Sequence, residues 1–273
     1  MVWLRWVIIL FTVFLAHITP LSVSAQNLAD VQTYIQSGQY KQAVELGEKL
    51  NTADSLSLAS EALARKVMLG GSSASKTTAQ EGRELAERAL EINPNNQNGR
   101  LQFIITDGFV ARFTGTVSAW FSKLPQKSLA YIQAYRKDYP DDPKGDALMG
   151  AWHFEIIRRA GAENAKKWFG ARADYGIGFF EKALNQAPDD PIICLNYAFA
   201  LIALVEEDSP EANRVEQHNW RRAKTLMEHA LSMPAPDDLT QTMQAKASKA
   251  LSLFETPDAL KDYADEFFKG EPG

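Results

Sequence analysis

Cysteine is nearly absent from this chain: Cys194 stands alone in 273 residues. An intramolecular disulfide is therefore impossible, and the fold must hold by packing. Histidine is scarce as well, with four copies, and His17, His153, His218 and His229 are scattered. His153 and Glu155 sit two apart on an expected helix and so face different ways. No metal site is expected from such spacing. Net positive charge is missing too, since 29 Lys+Arg stand against 34 Asp+Glu for a formal charge of −5. That balance argues against nucleic acid as a partner, because such affinity comes mainly from phosphate neutralisation. No apolar run reaches the roughly 20 residues of a membrane-crossing helix, and no segment keeps a period-two alternation bounded by hairpin signals. The nucleophile-elbow G-x-S-x-G, the H-E-x-x-H pair and the glycine-rich dinucleotide fingerprint are all lacking. Without a catalytic constellation, neither an enzyme activity nor a cofactor is expected. What is present, 45% apolar and 23% charged residues, is ordinary globular composition and excludes disorder or a collagen-like fibre.

The N-terminus carries a three-part pattern. Arg5 is the only charge before Asp30, an apolar run extends from Trp6 to Ala16, and Pro20 precedes the small-residue stretch Val23-Ser24-Ala25. This reads as a secretory signal cut between Ala25 and Gln26, leaving residues 26–273 as the mature chain. An uncleaved anchor is the alternative, and would be the protein's only link to a membrane. No cysteine lies near the cut, so a lipid anchor is not expected. Export, with the periplasm as the compartment, follows from this pattern.

The rest of the chain is repetitive. Pro94-Asn95-Asn96, Pro140-Asp141-Asp142, Pro188-Asp189-Asp190 and Pro236-Asp237-Asp238 recur at intervals of 46, 48 and 48 residues. Each is a stop followed by a start: proline ends one helix, and Asp or Asn caps the next. Gly82, Leu85, Ala86, Ala89 and Leu90 precede Pro94 with the spacing of a helical face, and Gly176, Phe179, Phe180, Ala183 and Leu184 hold the same offsets before Pro188. Ser128, Tyr131, Ile132, Tyr135 and Arg136 form a degraded copy, and Ala223, Leu226, Met227, Ala230 and Leu231 a copy displaced by one residue. Such stripes predict amphipathic helices. Partner helices are expected at about 28–37, 40–50, 54–69, 97–113, 144–160, 192–206 and 239–254. The fold class is therefore all-α, a single domain of about five helical hairpins stacked in line.

These residues resemble the tetratricopeptide-repeat family. The likeness lies in Ala89-Leu90-Glu91-Ile92-Asn93-Pro94, in the run from Phe180 to Pro188, in Gly38-Gln39-Tyr40-Lys41-Gln42-Ala43 and in Leu69-Gly70. It extends over most of residues 28–252. The departure is length, because that family repeats about every 34 residues. The stretch from Gly150 to Glu155, with Trp168-Phe169 and the helix from Tyr175 to Ala187, is also similar to part of the regulator-of-microtubule-dynamics family, itself built on tetratricopeptide-like helices. The resemblance implies an α-solenoid with a concave groove for a protein or peptide segment, and no shared catalytic residues.

The extra length is expected inside each hairpin, as insertions at 70–78, 114–125, 161–171 and 207–216. Two of these carry an aromatic pair, Trp120-Phe121 and Trp168-Phe169, each 20 residues ahead of its proline. The pairs either fold back on their hairpins or anchor a partner. Arg158, Arg159, Lys166, Lys167 and Arg172 gather beside the second pair, facing Glu206, Glu207, Asp208 and Glu211 in the next insertion. The expected partner-binding residues are therefore Trp120, Phe121, Arg158, Arg159, Lys166, Lys167, Trp168 and Phe169, on an exposed insertion edge. Gly70 to Thr77 nearly spells a phosphate-binding loop, but Ser75 replaces its second glycine and a helix rather than a strand leads into it.

Two functions follow as expectations. The first is an exported scaffold or adaptor that binds a protein or peptide in an open groove. The second is an accessory component of a solute transporter, binding a small ligand or a substrate-binding protein. A closed apolar pore or buried pocket favours the second.

Overall fold

The computed structural model describes residues 23–70, 75–114, 123–204 and 210–269, and these form thirteen helices with no strand among them. In order they are α1 (Val23–Gln36), α2 (Tyr40–Leu50), α3 (Ala53–Leu69), α4 (Lys76–Ile92), α5 (Gln97–Arg112), α6 (Leu124–Asp138), α7 (Pro143–Ala160), α8 (Ala162–Phe169), α9 (Ala173–Gln186), α10 (Pro191–Ile202), α11 (Pro210–Ser232), α12 (Asp238–Leu251) and α13 (Pro257–Lys269). The pairs α1/α2, α3/α4, α5/α6, α7/α9 and α10/α11 pack as helical hairpins, with α12 and α13 after them. None of the described helices is long and apolar enough to cross a membrane. Ala25 and Gln26 fall in the first turn of α1.

The recurring proline-Asx turns act as the sequence predicts. Asn96 accepts the amide of Gly99, Asp142 that of Lys144, and Asp190 those of Ile192 and Ile193. In the last copy the cap moves back one residue, and Asp237 accepts the amide of Thr240. This matches the one-residue displacement of the stripe before it. Each cap satisfies amides that the helix cannot pair internally.

The predicted stripes are the buried faces. Leu85, Ala86 and Ala89, then Phe180, Ala183 and Leu184, then Ala223, Leu226, Met227 and Ala230 are all buried. The degraded copy behaves accordingly: Ile132 and Tyr135 are buried while Tyr131 is exposed, edge-on to Phe103. At the α7–α9 crossing, a Cβ on Gly176 would lie 3.2 Å from the His153 Cβ, and one on Gly150 would lie 2.5 Å from the Phe180 ring. These two glycines let the backbones approach until Phe154, Phe180 and Tyr197 stack face to face.

Two of the expected insertions are corrected. Residues 161–171 are not a loop: α8 fills them, flanked by Gly161 (φ 75°) and Gly170 (φ 69°) in the left-handed region where glycine is favoured. Residues 210–216 belong to α11, which begins at Pro210, so Glu211 and Glu216 are helical rather than part of a projecting segment. The segment from Trp120-Phe121 lies outside the described residues, as do Glu206, Glu207 and Asp208.

His153 ties α8 and α9 to α7. Its ring is buried, accepts the Arg172 amide at Nδ1 (3.2 Å) and stacks on Phe179. Burial pushes its pKa down from 6.5 to about 4, against the pull of Asp174. The unfolded chain binds this proton below pH 6.5 while the folded one does not until pH is near 4, so stability is lost as pH falls through that window. The loss reaches at most about 1.4 kcal/mol per pH unit. Chemical denaturation of His153→Gln across this range should show a flatter dependence than the wild type.

The stack does not stay open. The last turn meets the first hairpins: Arg65 Nη1 donates to Asp237 at 2.7 Å, the Tyr40 hydroxyl to Asp238 at 3.1 Å, and Lys246 Nζ to the Leu69 carbonyl at 3.0 Å. The helices α3, α5, α7, α10 and α12 thus line the inside of a ring. Across its inner side lies α13, a helix that the repeat pattern did not predict. Leu260 and Ala264 are fully buried there, and Phe267 stacks on Phe199 of α10 at 4.4 Å.

Candidate functional site

The inner helices line a partly open cavity of about 500 Å³, within the range typical of small-molecule sites. Its walls are mostly apolar, with Leu101 and Phe109 of α5, Leu148 and Trp152 of α7, Ile193 of α10 and Phe268 of α13 among the lining side chains. Trp152 is held by its indole N–H, which donates to the Pro125 carbonyl at 3.1 Å. A shallower hollow of about 820 Å³ lies between the turns near Pro188 and Pro234, and its ionisable groups face one another, with His229 3.6 Å from Asp189.

Charge gathers in one part of the cavity wall. Glu155 of α7 accepts Arg158 at Nε and Nη2 (both 3.0 Å) and Arg159 at Nε (2.5 Å). Arg159 also donates to the carbonyls of Ala111, Arg112 and Thr114. These carbonyls belong to the C-terminal end of α5 and the turn that follows it, where a cation is favoured. Arg112, the last residue of α5, packs its guanidinium over Phe109 (5.0 Å) and Phe268 (6.0 Å). No described carboxylate lies within salt-bridge distance of Arg112. Burial lowers the pKa of Arg112, Glu155 pulls it back up, and Arg158 and Arg159 lower it further. Burial opposes ionisation of Glu155, but Arg158 and Arg112 outweigh it and hold the carboxyl below its usual range. Three guanidinium groups thus face one carboxylate, leaving an excess of positive charge against an apolar chamber.

Other polar groups mark the wall elsewhere. Glu61 and Arg65 form the ion pair that continues to Asp237 at the ring closure. Gln102 is buried and donates to Asn98 while its Oε1 has no hydrogen-bond partner. Gly108 opens onto the cavity, where a Cβ would have nothing within 4 Å.

The predicted basic edge does not exist as one surface. Arg158 and Arg159 turn inward, their side chains 18% exposed and paired to Glu155. Lys166 and Lys167 are exposed on α8, and Arg172 pairs with Asp174 beside the exposed Tyr175 ring. Trp168 is half-exposed, and Phe169 packs partly against the main core. Phe109 and Phe268 are wall residues that the sequence did not single out, and Glu155 was weighed only beside His153, as a metal-binding or catalytic pair. The helical spacing of Leu260, Tyr263, Ala264 and Phe267 was the available signal for α13. No such signal marked Glu155, because its role depends on α5 and α7 meeting. Cys194 is fully buried, and burial pushes its thiol up to about 11, as expected of a small core residue. Among the described residues no group of three or more His, Cys, Asp or Glu converges as a metal site. No protein-family model matches the chain, and no curated protein is significantly similar to it.

Proposed function

We propose that this chain is an exported, tetratricopeptide-like protein that binds an apolar small ligand inside its ring, as an accessory component of solute uptake. The observation that carries this reading is the partly open, mainly apolar cavity lined chiefly by the first helices of successive hairpins. An open groove for a peptide fits less well, because α13 of the same chain already lies on the inner side with Leu260, Ala264 and Phe267 packed there. The export part rests on the N-terminal pattern of Arg5, the apolar run and Val23-Ser24-Ala25. An adaptor role retains one supporting feature, the exposed Lys166 and Lys167 on α8, and a protein partner at that helix is compatible with a ligand held within.

The test fills the chamber. Wild-type protein should bind the neutral fluorophore N-phenyl-1-naphthylamine, and Gly108→Trp should weaken it about ten-fold or more. The indole would project into space that is open beyond Gly108. Its melting temperature should not fall, since glycine inside a helix is already unfavourable by about 1 kcal/mol relative to alanine. Absence of binding to the wild type, or equal binding to a folded Gly108→Trp protein, overturns the proposal.

A further inference from the structure

We infer that the cavity ligand is an anionic amphiphile, a long-chain carboxylate whose head group is held by Arg112 and the uncommitted edge of Arg158. The inference rests on the cavity being the binding site and adds the chemistry of what enters it.

The three arginines are not equivalent. Arg159 is committed to Glu155 and to the carbonyls that end α5, so its role is to join α5 and α7. Arg158 directs Nε and Nη2 to Glu155, which leaves Nη1 without a hydrogen bond among the described residues. Arg112 has its guanidinium carbon over the rings of Phe109 and Phe268, and no described carboxylate pairs with it. A cation–π contact engages the charge of a guanidinium without using up its edge of N–H donors. That edge fits a carboxylate through two parallel hydrogen bonds. A cation in a mainly apolar chamber is costly unless paired, and Glu155 is already engaged by two other arginines. An entering carboxylate would supply the missing counter-charge. Its hydrocarbon chain would lie against Leu148, Trp152 and Ile193.

This placement discriminates by sign. A long-chain amine would bring a cation beside Arg112, Arg158 and Arg159, and a long-chain ester would fill the apolar volume while leaving Arg112 unpaired.

Displacement of bound N-phenyl-1-naphthylamine from the full chain at about pH 8, where a fatty carboxylate is ionised, separates these cases. Dodecanoate should displace the probe at about ten-fold lower concentration than methyl dodecanoate or dodecylamine, equivalent to about 1.4 kcal/mol. Acetate at the same concentrations should not displace it. In Arg112→Met, dodecanoate should fall to the level of the ester, with the ester itself unchanged. If ester or amine matches the acid in the wild type, the anionic-head inference fails while the cavity reading stands. Displacement by acetate also overturns the inference, because it would place the anion without the chain. If none of the three long-chain compounds displaces a bound probe, the inference fails and the cavity reading is decided by Gly108→Trp; if the probe does not bind, both fail. Should Arg112→Met not fold, the ranking in the wild type decides alone.

Discussion

Replacing Phe180 with alanine should lower the unfolding free energy by about 3–5 kcal/mol, the range for deleting a large buried aromatic from a core that cannot collapse around the void. Phe180 is 1% exposed. Its ring lies between Phe154 and Tyr197, with centroids 5.9 and 4.8 Å away, so it joins three successive helices, α7, α9 and α10. The Gly150 backbone closes over its edge. A cavity there would be walled by rigid rings and two helix backbones, which limits relaxation and places the cost in the upper part of the range. Urea denaturation of wild type and Phe180→Ala would measure it. A loss below about 1 kcal/mol would mean that the stack is not a main support of the ring.

The second large effect concerns Asp146. Its carboxylate is almost fully buried, with Arg136 at 2.6 Å on one oxygen and Lys182 at 2.9 Å on the other. These cations come from α6 and α9, so one residue of α7 ties together the helices on either side. The double variant Arg136→Met/Lys182→Met leaves a buried charge without a partner, and about 3–5 kcal/mol of stability should be lost. Adding Asp146→Leu to that background should return most of the loss, because a triad replaced entirely by apolar groups escapes the desolvation penalty. Thermal melts of the two variants would test both expected changes. Equal stability of the double and triple variants would sink the argument.

Most of the fold was legible because its determinants are local. The proline-Asx turns announce helix ends and caps within a few residues, and the stripe at Gly82, Leu85, Ala86 and Ala89 needs only helical periodicity to be recognised as a buried face. The displaced copy before Pro236 shows how far this local logic extends, since the cap moves by one residue with the stripe. The α13 helix was missed although Leu260, Tyr263, Ala264 and Phe267 have helical spacing, because no proline-Asx turn introduces it.

The site was legible only in part. Arg158 and Arg159 stand out as charges in the sequence, and an adjacent pair of basic residues ordinarily reads as a solvated edge. Their direction was decided by Glu155 one turn earlier and by the carbonyls at the end of α5, 47 residues away for Arg112. A charge run carries no information about which way a helix face turns when both of its neighbours are helices.

The sequence by itself determined that this chain is a stack of helical hairpins without disulfides, since helix caps, breaks and apolar stripes are properties of neighbouring residues. Only the tertiary structure decided that the stack closes, through Arg65–Asp237 and Tyr40–Asp238, contacts separated by 172 and 198 residues. The small rotation from each hairpin to the next accumulates along a solenoid. Whether the sum yields an open groove or a ring around a chamber depends on every crossing at once, and no local motif records that sum.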